Sequence, residues 1–199
     1  LILVASYVLL THQGREAQIR AGMTYVVINL FASTLFLFGV AIVYAATGTV
    51  NMALIAERFP ELPGATQVGI GLWFLVVFGT KAAIFPLFSW LPDSYPTAPT
   101  TITAVFAGLL TKIGVYVLIR FFTLMELEQL GPLLLVIAGL TMIIGVAGAL
   151  AQDDVKRILS FHVVSQIGYM IMGLGFFTVA GVAGAVLFLV HQIPVKTVL

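Results

Sequence analysis

VGIGLWFLVVFGTKAAIFPLFSWL, residues 68–91, decides the fold: the run carries a single charged side chain, Lys81. A helix rises 1.5 Å per residue and the hydrocarbon of a bilayer is about 30 Å thick, so about 20 apolar residues make one crossing. Working outward, comparable runs lie at about 23–47, 100–122, 131–151 and 157–177. Residues 1–11 read as the later half of a helix, and 180–199 as the start of a seventh span. Connections are short, and the longest, about 48–67, holds Glu57, Arg58, Pro60, Glu61, Pro63 and Gly64, a mixture that stops helices and prefers water. The composition agrees: 61% of the 199 residues are hydrophobic and 9% charged, where a soluble domain has about 25% charged. A soluble globular fold is excluded. The expected architecture is an all-α polytopic transmembrane helix bundle forming one membrane domain over 1–199. It is expected to be truncated at both ends, because it opens on Leu1 and closes on Leu199 inside an apolar run.

Nine basic and eight acidic residues give a net charge of +1, which removes nucleic acid and extended polybasic lipid binding from the expected partners. With no cysteine, disulfides, thiol catalysis and thiolate-ligated clusters are excluded. There is no Gly-rich phosphate loop, no nucleophile elbow and no metal-spaced cluster of His and carboxylates. No cofactor or metal is expected, and neither is an enzyme that makes or breaks covalent bonds. Arg15, Arg20, Lys156 and Arg157 fall on one side of the expected spans, and Arg58 and Arg120 on the other. The first set is therefore assigned to the cytoplasm.

Polar residues inside the spans are the candidate functional groups. Lys81 has thirteen residues of its span before it and ten after, which puts its ammonium near mid-membrane. A central lysine costs about 2.5–3.5 kcal/mol on insertion, and such residues usually serve an ion or proton path. Pro86 has no N–H to offer the carbonyl of Ala82, so a kink or break is expected over Lys81–Pro86. Broken helices at membrane depth tend to line cavities. Lys112 lies midway in the run 100–122, with Tyr116 and Arg120 at i+4 and i+8 on the same face; Arg120, near the helix end, reads as a snorkelling side chain. His162, Gln166 and Tyr169 share another face and suit either a proton relay or interhelical hydrogen bonding. His191 and Lys196 lie in the last run, with Pro194 between them making their relative angle uncertain, and His191 suits relay or packing equally. Asp153 and Asp154 read as helix caps, Glu126 and Glu128 as exposed loop acids. Gly145/Ala149 and Gly181/Ala185 read as close-packing faces. Transport is the class of function that needs buried, titratable lysines without catalytic acids beside them.

The segment KAAIFPLFSWLPDSYPTAPTTITAVFAGLLTKIGVYVLIR (81–120), with KRILSFHVVSQIGYMIMGLG (156–175) and HQIPVKT (191–197), resembles the membrane subunits shared by Mrp-type multisubunit Na+/H+ antiporters and respiratory complex I, and among them the D-type Mrp subunits most. The resemblance implies a fold of about fourteen helices, of which this fragment would supply the fifth to the eleventh, the seventh broken near Lys81. It implies that Lys81, Lys112 and the pair His191 and Lys196 occupy the family's polar positions of the seventh, eighth and eleventh helices. The partner glutamate of Lys81 would fall before Leu1, and the twelfth-helix charge after Leu199. Pro194 departs from the family pattern. The implied function is proton translocation in exchange for Na+ through Lys81, Lys112, His162, His191 and Lys196. The implied setting is a hetero-oligomeric complex with other membrane subunits in the bacterial cell (inner) membrane. Two alternatives stand beside it: a redox-driven proton pump of the complex I or membrane-bound hydrogenase type, and a non-conducting scaffold subunit.

Overall fold

A computed structural model describes residues 2–12 and 14–198, and among them there are helices and connecting turns and no strand. Six helices are long and apolar enough to cross a membrane: 16–47, 64–82, 100–124, 128–150, 155–175 and 179–198. The chain runs through α1 (Ile2–Thr11), α2 (Glu16–Thr47), the short α3 (Met52–Arg58), α4 (Gly64–Ala82) and the eight-residue α5 (Trp90–Thr97). It continues through α6 (Thr100–Val105), a π turn (Phe106–Leu110) and α7 (Thr111–Leu124), which together make one crossing, then α8 (Gly131–Leu150), α9 (Val155–Gly175) and α10 (Val179–Val198).

Two expectations change. The polar stretch 16–20 is the first turn of α2 and not a loop, and Gln18 within it is buried, its side-chain amide donating to Thr97 O at 2.8 Å at the end of α5. The loop 48–67 contains α3, entered by Asn51, whose side chain accepts from Ala53 N–H at 3.0 Å. The Arg58 guanidinium then folds back onto Thr47 O at 2.6 Å, supplying a donor to the open carbonyl end of α2.

Small residues set the packing. Gly145 of α8 faces the backbone of Ser165, and a Cβ there would lie 2.6 Å from the Ser165 nitrogen; Gly181 of α10 faces Gly173 O in the same way at 2.6 Å. These are the close approaches expected when helices associate by van der Waals contact in lipid. The α8 surface turned away from α9 is apolar, with Val136 and Ile143 exposed, as a lipid-facing stripe requires. Asp154 caps α9 by accepting Arg157 N–H at 3.0 Å, while Glu126 and Glu128 are exposed.

The charge count by side is consistent with the fold. Glu16, Arg20, Asp93 and Arg157 line one open cleft, where Arg157 and Asp93 pair at 3.2 Å. Arg120 opens instead onto a groove with Met52 and Ile55 of α3, the helix that carries Arg58.

Candidate functional site

The expected break near Lys81–Pro86 is present and has a defined construction. Lys81 is in the last turn of α4, and Ala83 follows in the left-handed region at φ 61°. Ala83 N–H donates to Thr80 O at 3.3 Å and Ile84 N–H to Gly79 O at 3.1 Å, the paired closure typical of a helix C-terminus. The chain then passes through the cis Phe85–Pro86 bond to α5. Broken backbone at membrane depth must find partners within the protein. Here Thr141 of α8 accepts Phe85 N–H at 3.0 Å, and the Trp90 indole donates to Thr80 O at 2.9 Å.

Lys81 is half-buried, and its ammonium donates to Ser33 Oγ of α2 at 3.2 Å. Ser33 continues a stripe of Tyr25 and Asn29 at helical spacing: Asn29 Nδ2 donates to Tyr25 O at 2.9 Å and Ser33 Oγ to Asn29 O at 2.8 Å. Gly114 of α7 packs on this end of α4 so closely that a Cβ would lie 2.7 Å from Ala82 N and 3.0 Å from the Lys81 carbonyl carbon. Lys112, two residues before Gly114, is thereby held against the helix that carries Lys81.

Lys112 is buried, and its ammonium donates to Ala107 O at 2.5 Å, inside the π turn. The preceding carbonyl, Phe106 O, accepts from the Tyr95 hydroxyl at 3.0 Å. A π turn holds one residue more than an α turn and tips carbonyls off the helix axis, and side chains take two successive ones here. The face expected for Lys112, Tyr116 and Arg120 is therefore not a single polar stripe. Lys112 points inward, while Tyr116 and Arg120 are exposed and border an apolar groove floored by Phe74, Phe78 and Phe121.

Lys196 is buried on α10, which continues as helix through Pro194. It lines a cavity of about 140 Å³ with Tyr95, Thr103, Ala107 and Ser160, and the exposed Lys156 borders the same cavity. That volume accommodates several waters. Lys196 and Lys112 are within electrostatic range of each other.

The structure thus brings Lys81, Lys112 and Lys196 into one connected region and leaves His162 and His191 outside it. Both histidines are on the exposed faces of α9 and α10. The inward polar neighbour of His191 is Gln192, 5% exposed, and Gln192 Oε1 and Gln166 Oε1 are buried without a hydrogen-bond partner among the described residues. Sequence reasoning missed Ser33, Tyr95, Thr141 and Gln192. Only the Tyr25, Asn29, Ser33 stripe, polar at i, i+4 and i+8 in an apolar run, carried a readable signal. Among the described residues no group of three or more His, Asp or Glu is placed to hold a metal.

A discontinuous helix, a π turn and buried lysines beside both define a multi-pass helical membrane protein with polar machinery at membrane depth. The chain belongs to the NADH:quinone oxidoreductase/Mrp antiporter transmembrane family, whose model matches residues 1–199. It is 50% identical to the D-type Na+/H+ antiporter subunit of Alkalihalophilus pseudofirmus, over all of this chain and 41% of that protein. It is 45% identical to the putative antiporter subunit mnhD2 of Staphylococcus saprophyticus, over all of this chain and 40% of that one. Among solved structures, it superposes on a chain of the Mrp complex from Dietzia sp. DQ12-45-1b with TM-score 0.90 and 33% identity, covering 98% of this chain and 37% of that chain. A chain of the archaeal membrane-bound sulfane sulfur reductase gives TM-score 0.88 and 29% identity, covering 98% and 41%. The chain therefore spans about 40% of the length of the curated relatives it matches.

Proposed function

We propose that this chain is the central part of a monovalent cation/proton antiporter subunit, working among other membrane subunits in a bacterial inner membrane, and that it carries protons through Lys81, Lys112 and Lys196 in exchange for Na+. The observation that carries the reading is the seating of Lys81 and Lys112 at two irregular helix segments held in backbone contact by Gly114. A buried ammonium is costly unless solvated by protein dipoles or an anion. Lys81 has a serine hydroxyl and Lys112 one backbone carbonyl, and neither has a carboxylate partner among the described residues. Each is thus a group whose proton is held by weak partners, and a nearby anion or cation that moves would shift whether the proton stays. The cavity from Lys156 to Lys196 supplies a route for waters toward the cytoplasmic side. His162 and His191, exposed on this chain, would join the path only through protein packed on the α9 and α10 face. Likeness to antiporter subunits of Alkalihalophilus and Staphylococcus supports Na+ as the exchanged ion.

The test is Na+-induced collapse of a proton gradient in inverted vesicles from antiporter-deficient cells, with the full-length subunit in its complex. Lys81→Ala should abolish exchange while the complex assembles normally. Exchange at the wild-type rate would remove Lys81 from the path and favour a scaffold role. The likeness to the sulfane sulfur reductase chain favours a second reading, in which redox energy drives the same lysines. Purification of the full-length subunit with redox subunits in place of antiporter subunits would select it.

A further inference from the structure

Lys112 faces the interior only because of the π turn that precedes it. One residue of helix is about 100° of rotation, so closing the π turn into regular α-helix would swing Lys112 off its inward face and withdraw Ala107 O into the helix. Something must hold the turn open. Lys112 itself binds Ala107 O, but that contact is lost whenever the lysine moves to pass a proton.

We propose that the Tyr95 hydroxyl, by donating to Phe106 O, is the positioning group that keeps the π turn open under Lys112, and that α5 thereby couples the ends of α4 and α6; this rests on the proton-path reading above. Tyr95 is 2% exposed, and its ring is held edge-on to Trp90 at 6.1 Å and tilted against Phe106 at 6.2 Å. The hydroxyl is thus delivered to one carbonyl by a ring with no freedom to seek another. Trp90, five residues earlier on the same half-helix, donates to Thr80 O, the carbonyl adjoining Lys81. The line Lys81, Thr80 O, Trp90, Tyr95, Phe106 O, Ala107 O, Lys112 is therefore joined by hydrogen bonds and covalent backbone throughout. A shift of the α4 end as Lys81 changes partner is transmitted through a rigid aromatic half-helix to the turn that orients Lys112. The charged groups on the elements packed against α7 are Lys81 of α4 and Lys196 of α10; His162 of α9 is exposed. The junction thus depends on hydrogen-bond geometry at Tyr95 and not on a carboxylate.

The experiment uses the full-length subunit in its assembled complex in inverted vesicles, with Na+-dependent collapse of the proton gradient measured across Na+ concentrations. Tyr95→Phe keeps the ring and removes only the donor. It should lower the maximal exchange rate by about three- to tenfold, the range one hydrogen bond spans, with KM for Na+ and complex yield unchanged. Tyr95→His, which offers an N–H from a planar ring, should recover most of the rate. A Tyr95→Phe variant with the wild-type maximal rate overturns the proposal, as does a loss that tracks reduced complex yield or that Tyr95→His leaves unrecovered. Lys112→Ala is run beside them. If it abolishes exchange while Tyr95→Phe is normal, only the Tyr95 assignment falls; if Lys112→Ala retains exchange, the proton-path reading falls and the Tyr95 role with it.

Discussion

Lys81 donates to a serine hydroxyl whose own proton is committed to Asn29 O, so Ser33 can accept from the ammonium without losing its helix contact. Ser33→Ala removes that acceptor and leaves the ammonium to find water or another group. Because a half-buried lysine keeps some access to water, the cost should stay near one net hydrogen bond, about 0.5–1.5 kcal/mol. Exchange in full-length Ser33→Ala complexes should fall by about two- to tenfold and not vanish, in contrast to Lys81→Ala. Loss as complete as that of Lys81→Ala would mean that Ser33 carries the proton itself. The importance of Lys81 and Lys112 was legible from depth alone, since a charge ten or more residues from either end of an apolar run cannot reach water easily. Their partners were not legible. Ser33 lies 48 residues before Lys81, and no local spacing relates them. For α10 the miss was one residue, His191 in place of Gln192. Adjacent helical residues are about 100° apart, and the sequence does not say which of two neighbouring polar residues meets the interior. The buried stripe of Ala185, Leu189, Gln192 and Lys196 is visible only once the packing face is known.

At the scale of elements, the break after α4 and the seam between α4 and α7 depend on two different kinds of residue. Thr141 serves the break: its hydroxyl donates to Ile137 O at 2.6 Å and accepts Phe85 N–H at 3.0 Å. Thr141→Val preserves shape and strands a buried N–H, which should destabilise the complex by about 1–3 kcal/mol, read as a lower midpoint of thermal unfolding in detergent. An unchanged midpoint would mean that Phe85 N–H finds another partner. Glycine serves the seam. A methyl at Gly114 would meet only backbone atoms of Lys81 and Ala82 at 2.7–3.0 Å, which cannot rotate away, so Gly114→Ala must push α7 from α4 and should cut exchange severely. Gly139 of α8 has nothing within 4 Å of its would-be Cβ, and Gly139→Ala should be neutral or stabilising by up to about 1 kcal/mol. Equal effects of the two substitutions on exchange and on yield would mean that the α4–α7 contact is not what the function needs. Proline signalled the break in the sequence, since Pro86 has no N–H to give. The π turn carried no such sign. FAGLLTK reads as ordinary helix, and the wider turn exists because Tyr95, Lys112 and the Gly108 contact with Thr197 of α10 are all satisfied together, a tertiary cause.

The whole molecule presents two kinds of outer surface, and they predict different surroundings. The outer stripe of α8, including Val136, Ile143 and Val146, is apolar along its length and suits lipid directly. The outer surface of α9 and α10 exposes His162, Tyr169 and His191 at membrane depth, and polar side chains there face protein or water-filled space. A chain that spans about 40% of its relatives has helices to gain in the full-length subunit, and this polar surface is where cover is needed; the apolar stripe on α8 has no such need. The expectation is therefore directional. In a full-length subunit whose only cysteine is introduced, Ile143→Cys should react readily with a lipid-soluble maleimide in assembled membranes. His191→Cys should be shielded from it and become reactive only when the complex is dissociated in detergent. Equal labelling at both positions would show His191 facing lipid, and would remove it from any continuation of the path that begins at Lys81 and Lys112. Shielding of Ile143 with His191 open would place the cover on α8, reversing the orientation of this segment within its assembly.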